Sequence, residues 1–83
     1  MKDTIHYILS HIADHPDEII INETTDAQRS IFSVRVHKED MGKVIGKQGR
    51  IIRAIRDLIK LMAAKQGIYA DIVLEEQEQV SVV

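Results

Sequence analysis

The spacing of apolar residues changes along this chain, and each change limits what the chain can fold into. Ile5, Ile8, Leu9 and Ile12 fall at i, i+3, i+4 and i+7, the pattern of a helix with one apolar face. Phe32, Val34 and Val36 then recur at every second position, with Ser33, Arg35 and His37 between them, as in a half-buried strand. Ile51, Ile52, Ile55, Leu58, Ile59, Met62 and Ala63 return to helical spacing and share one sector of a helical wheel. Ile68, Ala70, Ile72 and Leu74 alternate again. A chain that switches period in this way needs both a sheet and helices to cover it, an α+β solution.

Boundary residues refine the order. Pro16 cannot continue the first helix, so that helix is expected to end near Asp14. Residues 18–24 are rich in β-branched side chains and read as a strand. The polar connector Thr25 to Gln28 makes them a hairpin with the next. Glu39 and Asp40 suit the first turn of a short helix running to about Ile45. Gly46 and Gly49 bracket a tight turn into a helix over 50–65, and Gly67 stops it in a left-handed cap. The predicted order is αββααβ, with helices on one face of a three-stranded sheet. The domain is expected to span 1–74, with an acidic, then apolar tail over 75–83 left unassigned.

Charge is unevenly spread. From Lys38 to Lys65 there are eight basic residues against three acids, a balance of +5. The remainder holds three basic residues against ten acids, a balance of −7, and the whole chain carries −2. A local basic segment attracts phosphate whatever the total, because screening confines each field to about 8 Å at physiological salt.

The glycine turn lies inside that segment. The first amides of a helix have no intrahelical partner, and the helix dipole is positive there, so an anion fits. Lys47 in the turn and Arg50 in the first helical turn add formal charge. With nothing bound, both oppose the dipole, a local conflict of the kind expected at a functional site.

Other chemistry finds little support. The chain has no cysteine, hence no disulfide framework and no thiolate metal site. His11 and His15 have a spacing that can ligate zinc on a helix, but no third ligand is evident and Pro16 disturbs the turn, so no metal is expected. Asp14, Asp17 and Glu18 read as a solvated acidic loop with no nucleophile or cofactor motif nearby, so the chain reads as a binder rather than an enzyme, without cofactor. No signal peptide or membrane-spanning run is present, so a cytoplasmic protein without membrane contact is expected.

The stretch Gly46-Lys47-Gln48-Gly49 between two helices resembles the KH domain, whose helix–GxxG–helix element clamps single-stranded nucleic acid. The element order is that of its type II form. Asp3 through Pro16, Lys38 through Arg50, and Ala63-Ala64-Lys65-Gln66-Gly67 are similar to the small single-domain bacterial KhpA family, and the likeness runs to about Leu74. Ile51 and Ile52 depart from it, since small or polar residues are usual there. The resemblance implies a single-stranded RNA-binding chaperone or regulator. It also implies self-association as a homodimer, a complex with the larger KH-containing protein KhpB, and a link to cell-envelope homeostasis and cell length. It places the RNA site on Gly46, Lys47, Gln48 and Gly49, with Arg50 beside them as electrostatic support. Arg53 one turn on and Lys43 one turn before extend the charge. Ile45 and Ile52 are expected to give an aliphatic floor, with Val36 and His37 as a far wall. With only Tyr7, Phe32 and Tyr69 as aromatics, no base-stacking platform is expected. The rival reading is a protein-interaction module, with RNA contact incidental and Val80, Val82 and Val83 gripping a partner.

Overall fold

The computed structural model describes residues 1–75. Its order is α1 (Lys2–Ser10), β1 (Ile20–Asp26), β2 (Arg29–Arg35), α2 (Met41–Ile45), α3 (Arg50–Lys65) and β3 (Tyr69–Glu75). Short 3-10 turns at Pro16–Glu18, Lys38–Asp40 and Lys47–Gly49 join these elements. The order αββααβ is the expected one. The expected tail begins inside β3, at Glu75; its remainder, with Val80, Val82 and Val83, lies outside the described residues.

The sheet runs β1-β2-β3. β1 and β2 pair antiparallel from Ile20↔Arg35 to Asp26↔Arg29, while β2 and β3 pair parallel from Arg29↔Tyr69 to Arg35↔Glu75. The parallel pair requires a crossover, and α2, the glycine turn and α3 form it. One face of the sheet carries Ile21, Phe32, Val34, Ala70 and Ile72 into the core, where they meet Ile5 and Leu9 of α1, Val44 of α2, and Ile55, Ile59 and Ala63 of α3. Ile5, Val34, Val36, Val44 and Ile59 are wholly shielded from water, and burying each such side chain contributes about 1.5–3 kcal/mol.

Three details differ from the sequence reading. α1 stops at Ser10 rather than near Asp14. Ser10 Oγ and the His11 ring both reach the Tyr7 carbonyl, at 2.9 Å each, and the His11 amide turns to Ile8 instead. The hairpin is tighter than expected. β1 runs on to Asp26, so the turn is only Ala27-Gln28, with Ala27 at φ 55°. The α3 stripe divides. Ile55, Ile59 and Ala63 are buried, but Ile51 and Leu58 face solvent. The wheel sector drawn from apolar residues was wider than the arc the sheet can cover.

Candidate nucleic-acid interface

α2 ends at Gly46, whose amide closes on the Gly42 carbonyl at 2.9 Å. Gly46 has φ 78° and ψ 171°, a region essentially restricted to glycine. Gln48 (φ 59°) and Gly49 (φ 74°, ψ 17°) follow in left-handed conformations, and the Gly49 amide bonds back to Gly46 at 3.1 Å. Three positive φ values in four residues reverse the chain between α2 and α3 within one turn. No side chain caps the start of α3; the Arg50 amide bonds back to the Lys47 carbonyl, and the positive end of the helix faces the loop.

The cations around this turn divide by partner. Lys47 and Arg50 are exposed and, among the described residues, pair with no acid. Arg53 folds back over the turn, its Nη2 donating to the Gln48 carbonyl at 3.3 Å. It reaches the loop this way instead of pairing with Asp57. Lys43 is held by Asp14, and lies 3.9 Å from Asp40. The Asp14 hydrogen bond raises the Lys43 pKa. Of the more distant cations, Arg56 grips Asp71 of β3 through Nε at 2.9 Å and Nη2 at 3.2 Å, and Lys60 sits 4.0 Å from the same carboxylate. The Arg56 hydrogen bond holds the Asp71 carboxyl below its usual range. These two cations serve the α3–β3 contact.

A family model described as the KhpA/KhpB KH domain matches residues 2–82. The RNA-binding protein KhpA of Clostridium acetobutylicum is 48% identical over 67 residues, covering 81% of this chain and 89% of its own. The protein of the same name from Oceanobacillus iheyensis is 40% identical over 74 residues, covering 87% of this chain and 99% of its own. That from Chlamydia caviae is 36% identical over 78 residues, covering 94% and 100%. The chain belongs to the KhpA/KhpB KH-domain family. No solved structure gives a significant match.

The apolar side of this KH domain's loop differs from the sequence expectation. Ile45 is half-buried, and Ile52 leans against the core rather than standing free in front of the turn. Val36 is fully buried, so it offers no wall to a groove, and His37 stacks on His15. Ile51, read from its spacing as core, is the residue that touches the turn. A Cβ built on Gly46 would lie 2.6 Å from Ile51 Cγ1. Only the bare α-carbon of glycine leaves that space.

The KH fold also holds a buried acid that periodicity could not reveal. Asp40 is fully shielded, with Oδ1 accepting from the Asp14 amide at 3.0 Å and Oδ2 from the His15 amide at 2.9 Å. Burial works against its charge, but these two amides and the His15 ring hold its carboxyl below the usual range. Asp40 thereby ties the α1–β1 connection to the base of α2. His11 and His15 bond different partners, the Tyr7 carbonyl and Asp40, so their helical spacing does not become a shared site.

Proposed function

We propose that this KH domain, expected over 1–74, binds single-stranded RNA by gripping its backbone across Gly46, Lys47, Gln48 and Gly49. The observation that carries this reading is the start of α3, without a side-chain cap, behind a turn made of glycine conformations, with Lys47 and Arg50 exposed beside it and paired with no acid among the described residues. A phosphate there meets the positive end of the α3 dipole and two exposed cations. Arg53 braces the turn and adds charge, and Lys43 can leave Asp14 to reach a second phosphate. Ile51, Ile45 and the exposed part of Ile52 supply an aliphatic surface for bases. Contacts of this kind position a strand more than they read it, so affinity is salt-dependent and specificity loose. The names of the curated relatives support the ligand class.

The test replaces Lys47 and Gln48 with aspartate. Both are exposed, so the fold should persist while two carboxylates confront phosphate. Loss of crosslinking to cellular RNA is expected; undiminished crosslinking would remove the turn from the site.

We place the domain in the cytoplasm as a non-catalytic RNA chaperone or regulator, assembled with itself and with KhpB and acting on envelope homeostasis and cell length. One observation favours an assembly role. Ile51, Ala54, Leu58 and Leu61 form a second apolar line along the outer side of α3, and Leu61 is 69% exposed. In the rival reading protein assembly is the whole function, and the aspartate variant keeps its activity in cells.

A further inference from the structure

His15 lies in the α1–β1 connection and His37 just ahead of the turn into α2. Their rings stack with centroids 3.9 Å apart and planes 15° from parallel. In neutral rings, hydrogen bonding sets which nitrogen of each carries a lone pair. The Asp40 carboxylate accepts, so His15 Nδ1, 3.3 Å from Oδ2, donates and leaves its lone pair on Nε2. The Glu39 amide donates, so His37 Nδ1, 3.0 Å away, is unprotonated. His37 Nε2 then bears the hydrogen and faces Glu18 Oε2 at 3.9 Å. His15 Nε2 faces Glu39 Oε1 at 3.8 Å. In the neutral ring that last pair is two acceptors with no hydrogen between them, a place where a cation, whether proton or metal, would join them.

We propose that His15, His37 and Glu39 form a binding site for a divalent transition-metal ion of the zinc class. One donor atom from each already lies within 4.8 Å of the others. Zinc bonds nitrogen and oxygen at about 2.0–2.2 Å, so closing the site draws the donors together and turns the His37 ring out of its stack. Glu39 is an exposed side chain, and the χ2 torsion that turns an imidazole is soft. Imidazole with carboxylate suits zinc where no thiolate exists. Each ring also has a carboxylate on its other nitrogen, Asp40 behind His15 and Glu18 behind His37. Metal-binding histidines are oriented by such outer partners. Asp40 is buried and fixed by the two backbone amides, so the His15 side is rigid. The His37 side must release the Glu39 amide and unstack from His15. The ion therefore binds exchangeably, less tightly than in a closed structural zinc site, and leaves a position for water. Two segments far apart in the chain supply the ligands, which is why the expectation of no metal, drawn from the His11 and His15 spacing, did not reach this cluster.

The experiment is a calorimetric titration of the full chain with zinc chloride, alongside NMR of the histidine rings. One saturable site is expected, with the His15 and His37 ring signals moving together while those of His6 and His11 stay. Glu39→Gln, at an exposed position, should weaken binding by more than about tenfold, the loss a metal site suffers even for an outer partner. His11→Ala should leave binding unchanged. Three results would each overturn the site: no saturable binding, equal binding by Glu39→Gln, or loss of binding in His11→Ala. A zinc-insensitive His15 ring protonated at both nitrogens would assign the cation between His15 and Glu39 to a proton. None of these readouts uses RNA, so the outcome is separate from that of the glycine turn.

Discussion

The Ile51 side chain occupies the space that a side chain on Gly46 would need, at 2.6 Å from the ideal Cβ position. Two independent effects therefore guard position 46. One is the collision, and the other is a backbone at φ 78° and ψ 171°. Gly46→Ala should cost roughly 1–3 kcal/mol from the backbone alone, with the clash added. Ile51→Ala should relieve the clash but not the backbone strain. A double-mutant cycle by urea denaturation should then show a positive coupling between the two positions. Purely additive effects would mean that Ile51 moves aside freely.

Salt dependence should report how many cations meet phosphate. With Lys47, Arg50 and Arg53 engaged, log affinity for a single strand should fall with log salt at a slope of about −2, at about 0.7 per contact. Arg50→Gln should reduce that slope by about 0.7, and Arg56→Gln should leave it unchanged, because Arg56 belongs to Asp71. Fluorescence anisotropy with an unstructured oligonucleotide at several salt concentrations measures both.

The outer line of α3 predicts a charge-sensitive dimer. Leu61→Glu should shift stability by no more than about 0.5 kcal/mol, since the side chain is mostly in solvent. It should nevertheless convert a self-associated species to a monomer in light scattering at micromolar concentration. A wild type already monomeric under those conditions would count against the interface.

Acid should weaken the fold through Asp40 and Asp71. Both carboxyls are held below their usual range in the folded chain, so the native state binds fewer protons than the unfolded one. Their contribution is fully present above about pH 4 and is lost as pH falls through the folded values. Asp71→Asn should cost about 1 kcal/mol or less at neutral pH, because its pair with Arg56 and Lys60 is partly exposed. It should also flatten the decline of the denaturation midpoint as pH falls below about 4. Asp40→Asn should flatten it too, with a larger neutral-pH loss, since the Asp14 and His15 amides then face a weaker acceptor.

The elements were legible where period and punctuation agree. Gly67 stops α3 at φ 76°, and the alternation from Phe32 to Val36 is a strand with its apolar side inward. The turn at Gly46 and Gly49 was legible because positive φ has few sequence solutions. Choices decided by contacts distant in sequence were not. The path of the chain between α1 and β1 depends on Asp40 drawing the Asp14 and His15 amides, across 26 and 25 residues. Arg56 could not be separated from Arg53 by spacing, because its partner Asp71 is on β3. Ile51 and Leu58 have the composition of core, and only the position of the sheet puts them outside it.

The parallel pairing of β2 with β3 bears on how this molecule matures. The β1–β2 hairpin needs only local contacts, but β3 can join only after the crossover has brought it back beside β2. The glycine turn lies within that crossover, and α3 behind it is held by β3. During refolding the hairpin should therefore form before the turn is rigid. The capacity to grip a strand should emerge late, with closure of the sheet, so a chain stalled at the hairpin stage would look partly structured and yet be unable to bind.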